Sequence, residues 1–557
     1  MSRINLSGQS NAPDLSVDAG GELLHNADGT PFQHRIIDLP NRRWEQGWSW
    51  ASERINPIVV KEIRQSLKSK QFTVSFGLTL IAAVGWTLVA ISLMVPRIFY
   101  MPAGGQLLSG YFCILVAPLM VIIPLVAFLS ITAETEDGTF ELLSISALSS
   151  LQIVYGKMAS GCVQILLYLS ALAPCIVLTY LLRGVGLTTI LFCLGWTVAF
   201  SIGETAVGIL LGAIARTRML QVIAAVVLLG ALFTAAGTWL GVVLSGPLIG
   251  GSVGTEEAVV SLGIVSVLAV AVSLVLRASA AAIDFPSENH STPLRWRLLW
   301  LIMIILFWSA LGLVAVADLT FSRFMLLVAF VLLLVIGALV SGERGVISPR
   351  AQRGLPRTFA GRLLFTWFYP GAGLGYVFLV CLFSAFVMTL AAIELIYEGQ
   401  LRNSTSTSSA ACGYVLLCFL AFYTGLNRLL MLAVPRQQPA RMVAAVAMMA
   451  AVLALSHLLP LFLIYYANDY REFNYGWHQT FNIVWTLDEI ANTNTLALGS
   501  NIILLTLCAI GVFGLNLVLC TRDVMLIRVA LPPRVREDEQ ASQPEAKHPL
   551  DPFAPQQ

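Results

Sequence analysis

Apolar residues run through this chain in long blocks, with little of the apolar-polar alternation of a half-buried strand. Twelve blocks stand out, at roughly 73–95, 111–133, 158–182, 187–214, 219–244, 257–276, 298–317, 322–341, 374–396, 410–433, 442–466 and 498–520. A helix of about twenty apolar residues crosses about 30 Å of hydrocarbon. The pattern therefore predicts an all-α polytopic membrane protein with about twelve transmembrane helices. The fifth and sixth blocks flank a Gly-rich loop and are also compatible with a re-entrant pair.

A different pattern precedes the first block. In NPIVVKEIRQSLKSKQF (56–72), Val59 or Val60, Ile63 and Leu67 recur at helical spacing, while Lys61, Arg64 and Lys68 fall largely on other faces. Asn56 suits a helix cap and Pro57 the first helical position. This predicts an N-terminal amphipathic interface helix with cations turned to anionic headgroups.

Composition removes the soluble alternatives. The 557 residues are 57% hydrophobic and only 11% charged, where soluble chains carry about 25% charged residues. No basic block points to nucleic acid. The nine cysteines lie in or beside apolar blocks with no Cys-x-x-Cys pair, so they are expected to pack as small apolar residues. The polar N-terminus has no short apolar core near Met1 and is not expected to be a cleaved signal.

The organisation read from these patterns is a flexible cytosolic segment at 1–50, the interface helix at 51–72 and a six-span unit at 73–277. A cytosolic linker at 278–297, a second six-span unit at 298–520 and a disordered tail at 521–557 complete it. With an even number of spans both termini share a side. That side holds 27 of the 33 Lys and Arg residues and the other 5, with Arg428 at the inner end of the tenth span making up the total, while the short loops alone divide 13 against 5. The positive-inside rule then places both termini in the cytosol, in a bacterial cytoplasmic (inner) membrane.

The loop 134–157 falls on the cytosolic side and is the chemical oddity of the chain. Glu134, Glu136, Asp137 and Glu141 crowd into ETEDGTFELLSIS between two spans. If the second span continues as helix past the membrane, Glu134, Asp137 and Glu141 share a face. Gly138 then breaks that helix, and Thr139 can cap a short amphipathic helix, FELLSISALSS. A solvated acidic loop, a divalent-metal or catalytic carboxylate site, and a docking surface all start from these residues. The metal reading lacks His or Asn partners and a calcium-loop spacing.

These two stretches together resemble the permease subunits of type-2 ATP-binding-cassette (ABC) transporters, over about residues 50–290. The resemblance rests on Asn56, Pro57, Lys61, Glu62 and Arg64 before the first span. It rests equally on Glu134, Gly138, Thr139, Glu141, Leu142 and Lys157 after the second. It implies a permease, an exporter in direction, whose acidic loop is a coupling helix seated in a separate ABC ATPase subunit. ATP and Mg would be bound by that partner, and a homodimer or second permease would complete the assembly. No phosphate-loop motif occurs in the chain, so no cofactor and no catalytic residue are expected here.

The second half lacks a matching Gly-Thr-x-Glu-x-Leu segment. Its loop 342–373 is basic, with Arg344, Arg350, Arg353, Arg357 and Arg362 available to lipid headgroups or simply acting as orientation signals. Within the spans, Glu204 is the conspicuous carboxylate and a functional candidate. It opens an alternative, a proton-coupled secondary transporter, beside a non-transporting membrane scaffold. His457 is expected to be a satisfied packing residue, and Glu394 to be wet at the outer end. Pro118, Pro124 and Pro174 predict kinks. No chemistry is expected from the polar segment 284–297.

Overall fold

The computed structural model describes residues 57–96, 99–136, 149–245, 254–284, 289–315, 319–343, 358, 361, 365–397, 409–435, 441–467, 475–492 and 497–528. All regular structure among them is helical. A short helix α1 (Pro57–Leu67) leads into α2 (Lys70–Met94) through Ser69, whose hydroxyl accepts from the Phe72 N–H. Then follow α3 (Gly104–Glu136), α4 (Ser150–Leu181), α5 (Leu187–Ile214), α6 (Arg218–Leu244) and α7 (Thr255–Ile283). The remainder are α8 (Ser291–Ala315), α9 (Leu319–Ser341), α10 (Ala372–Ile396), α11 (Ser409–Leu430), α12 (Arg441–Ala467), the short α13 (Ile483–Asn492) and α14 (Ala497–Arg528).

Twelve of these, all but α1 and α13, are long and apolar enough to cross a membrane. Their outward faces support that reading, since Val74, Leu78, Ile81 and Leu88 of α2 are each more than half exposed. A soluble protein does not present such a surface. The polar flanks of several spans continue as helix, so that α7 and α8 leave only residues 284–290 between them. The fifth and sixth spans are helices of 27 residues each, long and apolar enough to cross a membrane.

Successive helices turn back at alternate ends. At one end, called proximal here, Ser150 bonds Asp284, Arg216 bonds the Ala282 carbonyl, and Arg441 bonds the Met431 carbonyl. At the distal end, the Glu394 carboxylate accepts from the Ser409 and Ala410 N–H groups. It thus caps α11, filling a role that exposed residues at a helix start otherwise leave to water. The α7 helix joins the two halves. Its Leu276 and Ala280 enter the core formed by α3, α4 and α5, while Val270 and Leu274 pack on the core of α8–α14.

The α3–α5 contact depends on two prolines. Residues Ala117–Ile122 form a π-helical turn in which the Ile123 N–H reaches the Pro118 carbonyl. The Leu119 carbonyl is then left with no backbone donor, because Pro124 has no N–H to offer. Ser201 of α5 supplies one at 2.6 Å. One face of α5 continues with Gly208 and Gly212, a small-residue pair that lets the helices approach closely. A Cβ at Gly208 would lie 2.6 Å from the Pro124 carbonyl oxygen, whereas one at Gly230 of α6 would meet nothing within 4 Å. Gly208→Ala is therefore expected to destabilise by about 1–3 kcal/mol, the scale of core overpacking. Gly230→Ala should be neutral or slightly stabilising, and thermal unfolding of the two variants checks the contrast.

Candidate functional site

The proximal end carries a polar crevice of about 400 Å³ between α1, α3 and α4, with Lys157 in its wall. Ser149 starts α4 with a reciprocal capping box to Gln152, which fixes the register that turns Lys157 inward two helical turns later. The Lys157 Nζ lies 2.7 Å from Glu134 Oε1 on α3, 3.5 Å from Glu62 Oε2 on α1 and 3.4 Å from Ser130 Oγ. Its side chain is 3% exposed, against 14% for Glu62 and 22% for Glu134. Ser160 donates to Ser66 at 2.8 Å and adds a second α4–α1 link.

One buried cation thus holds three helices at one point. Its two carboxylates leave the cluster with a net charge of −1, so it is not an anion site. A single partner would leave the ammonium short of acceptors, because it has three donors to satisfy. The arrangement suits a mechanical joint, since moving α1 or α3 away from α4 would separate charges in a poorly hydrated place.

Of the residues singled out in the sequence, Glu62, Glu134 and Lys157 are brought together. Lys61 and Arg64 face outward from α1, opposite the half-buried Val59, Val60, Ile63 and Leu67. Glu136 ends α3 and lies 3.9 Å from Arg218, both largely exposed, a pair worth little. For Pro57 only the backbone is described. Asn56, Asp137, Gly138, Thr139, Glu141 and Leu142 lie outside the described residues, as do the short helix expected after Thr139 and Arg344, Arg350, Arg353, Arg357 and Arg362.

Glu204 is not part of the crevice. Its two carboxylate oxygens are closed off from solvent and have no hydrogen-bond partner among the described residues. His457 is satisfied as expected. The Ile483 N–H reaches its Nε2 at 3.2 Å, so Nδ1 carries the proton directed at the Leu453 carbonyl, 2.8 Å away. No three His, Cys, Asp or Glu side chains gather as metal ligands among the described residues.

Sequence reasoning missed Ser66, Ser130, Ser160 and Gln164 of the crevice, although helical spacing announces them. Ser66 follows Glu62 by four residues, Ser130 precedes Glu134 by four, and Ser160 and Gln164 follow Lys157 by three and seven. It also missed a second buried cation. Arg295 of α8, 4% exposed, pairs with Glu343 and donates to the carbonyls of Trp367, Tyr369 and Gly371. Trp296 stacks on Phe368 at 4.6 Å, and Thr292 donates to the Phe368 carbonyl. Residues of the polar segment 284–297 thus anchor the chain leading into α10. Burial also pushes the Tyr369 phenol above its usual range.

No known protein family, curated protein or solved structure matches this chain. What fold and surface define is a polytopic helical membrane protein with a charged three-helix joint at the proximal end.

Proposed function

We propose that this chain is the membrane-spanning permease subunit of an ATP-driven transporter of the type-2 ABC kind, an exporter that recruits separate ATPase subunits. The Lys157–Glu134–Glu62 cluster carries the reading. It ties the helix before the first span to both ends of the acidic loop expected at 134–157, where a coupling element would pass force into the membrane. The sequence resemblance names the same residues independently of their contact. With the charge asymmetry of the loops, the proximal end is cytosolic and α1 lies along the inner surface of a bacterial cytoplasmic membrane. ATP and Mg are bound by the partner, and the spans bind lipid.

Docking through the acidic loop is tested by Glu141→Arg. Association with the ATPase subunit, measured by pull-down from solubilised membranes, is expected to fall by at least about tenfold, as for a charge reversal at an interface. The thermal unfolding of the membrane part should be unchanged. Equal association of the variant and the native chain would remove the docking assignment. The secluded, unpartnered carboxylate of Glu204 favours a second reading, a proton-coupled carrier. There, Glu204→Gln would abolish transport driven by a pH gradient without any need for ATP.

A further inference from the structure

The distal end holds a second, larger cavity. A groove of about 660 Å³ is walled by Leu459, Leu463 and Ile464 of α12 and Leu504 of α14, with Trp477 and His478 among its other lining residues. This volume falls within the range of small-molecule sites, about 300–1,000 Å³. Its described lining contains no Lys, Arg, Asp or Glu.

The segment bearing His478 is held in place. Tyr423 of α11 donates to the Phe481 carbonyl, His457 of α12 accepts from the Ile483 N–H, and the Thr480 hydroxyl donates to the Trp477 carbonyl. Within this pinned segment two polar groups are left over. The His478 Nε2 is closed off from solvent, and Gln479 is 0% exposed. Neither that ring nitrogen nor either polar atom of the Gln479 carboxamide has a hydrogen-bond partner among the described residues. Buried polar groups are nearly always satisfied, and leaving one unpaired costs about 1–3 kcal/mol. Two adjacent residues in this condition, one of them in the wall of an apolar groove, point to a missing hydrogen-bonding guest.

We propose that the groove binds an uncharged amphiphile, one alkyl chain carrying a hydroxyl, ester or amide head. The chain lies along the α12 and α14 wall, and the head exchanges a hydrogen bond with His478 in that wall and, by a turn of its buried side chain, with the adjacent Gln479 behind it. A phosphate or carboxylate head would bring a charge beside a described lining that holds no Lys or Arg and only the His478 imidazole as a titratable partner. A plain hydrocarbon would leave the polar atoms as they are. The site is separate from the Lys157 crevice and does not depend on coupling to an ATPase.

The test uses the full-length chain in lipid nanodiscs and a photoactivatable, diazirine-bearing long-chain monoacylglycerol, with crosslinks mapped by peptide mass spectrometry. Labelling should concentrate on peptides containing residues 459–464 and 475–481. Unlabelled monoacylglycerol should compete, while an alkane or a carboxylate of equal chain length should not. Leu463→Trp, which fills the groove, should remove this labelling. Gln479→Leu should reduce it about threefold to tenfold, the scale of one neutral hydrogen bond. The same variant should raise the unfolding temperature of the ligand-free protein, because it deletes an unpaired buried group. A merely structural glutamine would give the opposite stability change, and a lowered unfolding temperature would overturn the proposal. Labelling spread evenly over the outward faces of the helices, or equal competition by the alkane, would overturn it as well.

Discussion

Lys157→Met is expected to lower stability by about 3 kcal/mol, the low end of the cost of breaking a buried ion pair. The low end applies because Glu62 and Glu134 keep some access to water. The damage comes less from the lost attraction than from the two carboxylates left facing each other across the crevice. Adding Glu134→Gln to Lys157→Met should therefore restore part of the loss. The two changes should be coupled by about 1–3 kcal/mol, as for residues in direct contact. Thermal unfolding of the two single variants and the double variant completes the cycle. If the effects simply add, the 2.7 Å contact carries no energetic link between α3 and α4. In a working transporter the same variant should retain the ATPase subunit yet hydrolyse ATP without transport, since docking and force transfer are then separated.

Arg295→Met is expected to cost more, about 4–5 kcal/mol. It strands the Glu343 carboxylate with the Ser291 hydroxyl and leaves the carbonyls of Trp367, Tyr369 and Gly371 without their shared donor. Arg295→Lys should recover only part of this, because one ammonium cannot span the acceptors that the planar guanidinium reaches together. Hydrogen exchange at residues 366–371 should rise sharply in the methionine variant and moderately in the lysine variant. Unaltered exchange there would mean that the Trp296–Phe368 stack, not Arg295, holds the segment.

The twelve spans were legible because an apolar run of that length has one stable use. Their ends were less so. Helix continues through the Ala-rich residues 277–283 and the polar residues 291–297, beyond the ends read from hydropathy. In the crevice, Glu62, Glu134 and Lys157 were visible as separate members of two motifs. Their meeting was not, since α1 and α4 are 95 positions apart in sequence at Glu62 and Lys157. The polar stripes Glu62–Ser66, Ser130–Glu134 and Lys157–Ser160–Gln164 could have shown that these faces belong together. Arg295 had no such stripe. Its burial depends on a loop folding back from some 72 residues away, which local pattern does not encode. The unpaired His478 and Gln479 were hidden for a similar reason, because composition cannot reveal a polar group without a partner.

Affinity purification of the intact chain from its native membranes, followed by identification of bound subunits, tests the transporter reading most directly. The account predicts a stoichiometric ATPase subunit bearing a phosphate loop, retained by Lys157→Met and lost by Glu141→Arg. Recovery of the chain alone, from membranes in which it is folded and abundant, would contradict it.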